Sequence, residues 1–197
     1  MAISPIEIIE SMLPATLTAP GMSEREFLDL CDKFPDATLE YEADGTVLIM
    51  PPTDAKTGFR SNRIAFELTR WAEQAGGLVV GPDTGFFLPG GSRRSPDAAW
   101  VNERRWNAAQ TPGTRFPPFA PDFVIELRSP TDRLSALNAK MREYIDNGVQ
   151  LGWLIDPQNR TVSIFRAGTE PTVLSDSIEV HGEGPVEGLV LPLAKIF

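Results

Sequence analysis

Apolar positions along the chain fall into two rhythms, one helical and one extended. Between Thr57 and Ala75, the residues Ile64, Leu68, Trp71, Ala72 and Ala75 recur at three- and four-residue spacing. This is the stripe of an amphipathic helix that lies across a sheet, and Gly76-Gly77 closes it. A second stripe, Leu134, Leu137, Met141, Tyr144 and Ile145, follows Ser129-Pro130 and ends at Gly148. There the serine serves as cap and the proline occupies the first turn, where its missing N–H costs nothing. The remaining apolar runs are short and read as strands: 38–42, 46–50, 78–80, 85–88, 95–101, 121–128, 151–155 and 161–166. Phe123, Val124, Ile125 and Leu127 make 121–128 apolar enough to be central in its sheet.

The punctuation between these runs agrees with them. Ser23-Glu24-Arg25-Glu26 is a capping box, which starts a helix running to about Lys33. Asp44-Gly45 is a tight hairpin turn, Pro51-Pro52 stops the strand after it, and Asp156-Pro157-Gln158-Asn159 turns between two later strands. The first 22 residues read as an arm, and 102–120 as a polar, proline-rich connection long enough to cover a site. The order of elements predicts an α+β fold, a mixed sheet flanked by helices with an N-terminal helix and hairpin. At 197 residues the chain is expected to form one domain.

Composition narrows the chemistry. One cysteine, Cys31, and one histidine, His181, exclude an internal disulfide and any site built from several thiolates or imidazoles. Cys31 reads as a packing residue and His181 as a loop residue. No basic segment followed by an apolar run opens the chain and no stretch suits a membrane span, so a soluble, cytoplasmic protein is expected. The net charge of −9 argues against nonspecific nucleic-acid binding over the whole surface. Between Arg93 and Arg142, however, nine Lys/Arg face five Asp/Glu, a local +4.

Candidate chemistry starts at Glu126, which interrupts an apolar strand. A buried carboxylate without a partner costs several kcal/mol or takes up a proton. Asp122 shares its face but lies roughly 13 Å along the strand at about 3.3 Å per residue, too far to share one ion. Asp97, at the start of the preceding strand, reaches Glu126 if the two strands pair. Such a pair forms an oxygen-rich pocket for Mg²⁺ or Mn²⁺, hard cations that bridge to phosphate. Lys140 sits on the flank of the second helical stripe, where its ammonium extends toward the sheet to orient water or offset phosphate charge. Taken singly, each has a structural alternative: a Pro-Asp turn, an edge-strand glutamate, a snorkelling lysine. Their combination points to phosphodiester hydrolysis.

The same residues carry a resemblance. The runs Ser95 to Val101, Pro121 to Pro130, Lys140 to Gly148 and Trp153 to Pro157 resemble the Uma-two family, restriction-endonuclease-like proteins of the PD-(D/E)XK nuclease superfamily. The likeness extends to Glu24 to Leu30, Tyr41 to Gly45 and Gly188 to Leu191, nearly the whole chain. It implies a metal-dependent DNA endonuclease core in which Asp97 is the PD aspartate and Glu126 the acidic member of (D/E)XK. Mg²⁺ or Mn²⁺ would be held by Asp97, Glu126 and the carbonyl of Leu127. Where the plain superfamily pattern has lysine, this chain has Arg128, which cannot serve as a base. The lysine role then falls on Lys140, with Arg128 or Arg133 gripping a phosphate. Glu42 matches a recurrent family glutamate and adds a ligand or stays a hairpin surface residue. A homodimer is expected by analogy with nucleases that cut two strands. Two other readings stand beside this one: a non-catalytic binding or assembly module on the same fold, and hydrolysis of RNA or a small nucleotide.

Overall fold

A computed structural model describes residues 15–18, 22–35, 37–50, 52–109 and 115–197. Its centre is a six-stranded sheet in the order β11-β10-β9-β8-β7-β4. These strands are β4 (Leu78–Val80), β7 (Ala98–Val101), β8 (Phe123–Leu127), β9 (Leu151–Asp156), β10 (Thr161–Arg166) and β11 (Thr172–Ser175). Only β8 and β9 run parallel; the other neighbours are antiparallel, so the sheet is mixed. All five residues of β8 are buried, as expected of a strand covered on both faces.

Strand alternation sends side chains to two cores. One face presents Ala98, Trp100, Phe123, Ile125, Leu127, Trp153 and Ile155 to Ile64, Leu68 and Ala72 of helix α2 (Ala55–Ala75). The other presents Ala99, Val124 and Leu154 to Met141 and Tyr144 of helix α4 (Leu134–Asp146). Trp153, Phe123 and Tyr144 are fully buried, each contributing about 1.5–3 kcal/mol of hydrophobic stabilisation. On β9, Gly152 allows α4 to lie close, since a Cβ there would meet Met141 Cε at 2.4 Å.

A second, five-stranded sheet has the order β1-β3-β2-β6-β5, formed by β1 (Ala15–Thr18), β2 (Thr38–Tyr41), β3 (Thr46–Met50), β5 (Phe86–Phe87) and β6 (Arg93–Arg94). Its apolar residues Leu39, Tyr41 and Val47 pack on Phe27 and Cys31 of helix α1 (Glu24–Lys33), confirming Cys31 as a packing residue. The capping box of α1 forms as the sequence predicts: Glu26 Oε2 accepts the Ser23 amide at 2.8 Å. Gly45, at φ 93°, supplies the left-handed residue the β2–β3 turn requires. The chain end adds the β12 (Glu179–His181) and β13 (Val190–Pro192) pair.

Several expectations are corrected. The arm is not wholly outside the sheets: β1 pairs with β3 antiparallel, while residues 1–14 and 19–21 lie outside the described residues. The connection after β7 contains helix α3 (Glu103–Ala108), started by Asn102 Oδ1 accepting the Arg104 amide. Helix α4 begins at Leu134, not at Ser129-Pro130, because Asp132 accepts the Ser129 amide at 2.7 Å and closes a separate turn. Leu134, in the first turn, is therefore 37% exposed and Ala75, at the end of α2, is exposed too. Among the described residues, no helix is long and apolar enough to cross a membrane.

Candidate active site

The site lies where the two sheets meet. The chain leaves the five-stranded sheet at Arg94 and enters the six-stranded sheet at Ala98, so Ser95, Pro96 and Asp97 form the crossing. In the β7–β8 register Ala98 is opposite Ile125, and extending it by one residue sets Asp97 against Glu126. Asp97 Oδ2 accepts the Leu127 amide at 2.7 Å across the strands. Leu127 therefore turns its backbone groups toward β7, which makes Asp97 and Glu126 a non-hydrogen-bonded pair, the kind whose side chains approach most closely.

Glu126 is 3% exposed and lies under α4. Its Oε1 accepts from Tyr144 Oη at 3.0 Å and pairs with Lys140 Nζ at 2.9 Å. Lys140 and Tyr144 are four residues apart, one helical turn, so both reach the same carboxylate. Lys140 Nζ also lies 2.8 Å from Glu40 Oε1 and donates to the Ser95 carbonyl at 3.4 Å. Glu40 comes from β2, where alternation turns Leu39 and Tyr41 to the α1 core and Glu40 the other way. Its Oε1 accepts the Ser95 amide at 2.9 Å, and its Oε2 pairs with Arg94 Nη1 at 3.2 Å.

Burial and charge set the protonation of this cluster. Burial pushes Glu126 up to about 8, against the pull of Lys140 and with the push of neighbouring Asp97. Burial also raises Asp97, partly offset by the Leu127 amide and by Lys140. Glu40 goes the other way: burial is outweighed by Lys140 and Arg94, and its carboxyl is held below the usual range. Burial works against the Lys140 ammonium, but Glu126 and Glu40 prevail and raise it, so Lys140 stays protonated. The site thus combines a cation and an anion whose charged forms are favoured, Lys140 and Glu40, with two carboxyls whose ionised forms burial disfavours.

These groups line a cavity of about 680 Å³ that also takes in Thr38, Asp54, Asp83, Leu127 and Asp132. Residues 25–194 match the Uma2 family, described as "Putative restriction endonuclease". The chain belongs to that family. This Uma2 chain is similar in fold to the crystal structure, at 1.96 Å resolution, of a "putative nuclease belonging to DUF820" from Anabaena variabilis ATCC 29413. The two are 21% identical, the match covers 89% of this chain and 97% of that one, and the TM-score is 0.73. No match was found among curated proteins.

Three residues singled out in the sequence stand elsewhere. Glu42 lies past the end of β2, is half-buried, and pairs with Arg94 Nη2 at 3.1 Å; the hairpin glutamate facing the cavity is Glu40. Arg128 is tied to Asp156 Oδ2 at 2.8 Å and donates to the carbonyl of the lining residue Asp132, but does not itself line the cavity. Asp122 is the anchor of the opposite end of β8. It accepts from the Asn102 amide at 2.8 Å, Arg105 Nη1 at 2.5 Å and Gln150 Nε2 at 2.7 Å. Nor do the described residues of the 102–120 connection line the cavity.

Sequence reasoning missed Glu40, although Leu39 and Tyr41 flanking a glutamate is an alternation signal. What the sequence could not say is that the polar face of this hairpin meets a second sheet instead of water.

Proposed function

We propose that this protein is a divalent-metal-dependent endonuclease that hydrolyses phosphodiester bonds in DNA. The observation that carries the reading is the facing pair Asp97 and Glu126 with Lys140 fixed beside it. The donor set suits Mg²⁺ or Mn²⁺: hard oxygens, few protein ligands, and room for phosphate and water. Among the described residues no group of three or more His, Cys, Asp or Glu is arranged to hold a metal. Mg²⁺ usually binds through one or two carboxylates plus substrate phosphate, so the proposal asks for no more than the Asp97 and Glu126 carboxylates.

Asp97, Glu126 and the Leu127 carbonyl would hold the ion. Leu127 turns its carbonyl to the same side as its amide, toward β7, where extended register sets Pro96 opposite. Proline has no N–H to occupy that carbonyl. Both donors to Glu126 take Oε1, which leaves Oε2 to the ion. When bound, the metal supplies an activated water and neutralises charge on the scissile phosphate.

Lys140, held protonated, donates to the reacting oxygens and stabilises developing negative charge rather than removing a proton. Glu40, with its oxygens taken by Ser95, Lys140 and Arg94, keeps the ammonium in place. Tyr144 orients Glu126 through its hydroxyl. Replacing Glu126 by alanine is expected to abolish Mg²⁺- or Mn²⁺-dependent cleavage of plasmid DNA without unfolding the chain; undiminished cleavage refutes the assignment.

One observation favours a second reading, a non-catalytic binding module. Lys140 bridges two carboxylates at 2.8 and 2.9 Å, as an internal counter-ion would in a site that never takes up metal. Calorimetric titration with Mn²⁺ separates the two, since only the first requires binding. A homodimer belongs to the nuclease proposal by analogy, and cytoplasmic residence is proposed beside it.

A further inference from the structure

Arg93 precedes Arg94 on β6, so alternation sends it away from Glu40 and into the region beside α1. It is 5% exposed, with its guanidinium carbon 4.0 Å from the Phe116 ring centroid and 5.2 Å from that of Phe27. One terminal nitrogen donates to the Leu39 carbonyl, and Nε is buried without a partner. Gly85 makes room for the group, since a Cβ there would lie 2.3 Å from Nε. Among the described residues no carboxylate forms an ion pair with it, unlike Arg94 beside it. A buried cation in this condition is costly unless an anion compensates it.

Beside Arg93 is a cavity of about 300 Å³, walled also by Arg115, Phe34, Phe116 and Cys31. Among the described residues Arg115 forms an ion pair with Asp32 alone, and the side chains of that pair are 44% and 70% exposed, so solvent weakens it. Phe34 is 55% exposed at the rim. The volume exceeds what a bare phosphate fills, and the aromatic rim offers the flat surface on which a base stacks. This cavity and the catalytic one share Thr38 and Asp83 as walls. The catalytic cavity carries Asp54, Asp83 and Asp132 besides its central acids, and among the described residues Lys140 is its one basic lining residue. Cations to grip a neighbouring phosphate are thus next door.

We propose that this second cavity is a nucleotide subsite, with the phosphate held by Arg93 and Arg115 and the base stacked on Phe34. Arginine forks suit phosphate oxygens, and base–aromatic stacking accepts any base. The subsite extends the nuclease reading by receiving the nucleotide next to the one cut, but its binding of a nucleotide is independent of cleavage.

The test uses the full chain carrying Glu126→Gln, in EDTA, titrated by NMR with a nucleoside monophosphate, the matching nucleoside, and inorganic phosphate. The nucleotide is expected to bind, with both fragments about tenfold or more weaker. Arg115→Glu is expected to weaken nucleotide binding by about tenfold or more, and Phe34→Ala by severalfold, with unaltered circular dichroism and melting. No nucleotide binding at millimolar concentration, equal binding by the Arg115→Glu chain, or nucleoside binding as tightly as nucleotide overturns the proposal. Phosphate binding as tightly as nucleotide overturns it equally, because the base would then contribute nothing. A chain that binds nucleotide but cuts no DNA sinks the nuclease reading alone, and one that cuts but binds no nucleotide sinks the subsite alone.

Discussion

Lys140 Nζ and Glu40 Oε1 lie 2.8 Å apart, one from a helix on the six-stranded sheet and the other from a strand of the five-stranded sheet. The contact ties the two sheets together through a charge. It also leaves Glu40 with no oxygen free, since Ser95 and Arg94 take the rest.

Removing that carboxylate leaves the buried ammonium with Glu126 as its remaining carboxylate partner. Glu40→Ala is expected to cost about 3–5 kcal/mol, the range for breaking a buried ion pair from one side. Glu40→Gln keeps an oxygen for the Ser95 amide and is expected to cost less. Urea denaturation of the three chains measures both, and an alanine variant as stable as the parent would show that the pair does not hold the sheets.

Glu126 makes the metal-free fold sensitive to alkali. Its folded value of about 8 is above the ordinary glutamate value of 4.5, so the protonated form is the one the fold favours. That stability is fully present below about 4.5 and is lost as pH rises through about 8. Asp97, also raised, adds a loss of the same sign, whereas the lowered Glu40 acts at more acid pH. In EDTA the melting temperature should therefore fall between pH 5 and 8, and Glu126→Gln should flatten that slope. A slope identical in both chains would mean that Glu126 is ionised throughout.

How much of this was legible depended on whether a signal was local. Glu126 stood out because a carboxylate inside Phe123-Val124-Ile125 needs a partner, and Lys140 because it flanks an apolar stripe. Asp97 is legible from the pairing of β7 with β8. Glu40 was not: hairpin residues facing water and those facing a second sheet look alike until the sheets are placed. The true start of α4 was hidden for a different reason. Ser129-Pro130 is a sound helix opening, but the Asp132 carboxylate competes for the Ser129 amide and wins.

Asp97 and Asp122 both follow a proline and offer a direct contrast. Asp122 is 2% exposed and its carboxylate is filled by three donors at the far end of β8. Asp122→Ala is expected to destabilise the fold by about 3 kcal/mol or more, through the unpaired donors it leaves, with Mn²⁺ affinity unchanged. Asp97→Ala is expected to abolish Mn²⁺ binding by calorimetry. Should Asp122→Ala remove binding while Asp97→Ala preserves it, the metal would belong at the other end of the strand.

Arg128 occupies the position where the plain superfamily pattern has its lysine, yet it is spent on Asp156. That carboxylate also accepts the Gln158 and Asn159 amides at 2.9 and 3.2 Å and Asn159 Nδ2 at 2.7 Å, closing the turn after β9. Burial is outweighed by Arg128 and these donors, and the Asp156 carboxyl is held below its ordinary value. Since several donors remain when Arg128 is lost, Arg128→Ala should cost only about 1–2 kcal/mol. Cleavage, if Lys140 is the functional cation, should stay within about threefold of the parent, a difference of under 1 kcal/mol in the barrier. Lys140→Ala should instead remove about 100-fold or more, as loss of a preorganised charge-stabilising donor does. The reverse ranking in a plasmid-nicking assay would return the role to Arg128 and require its release from Asp156.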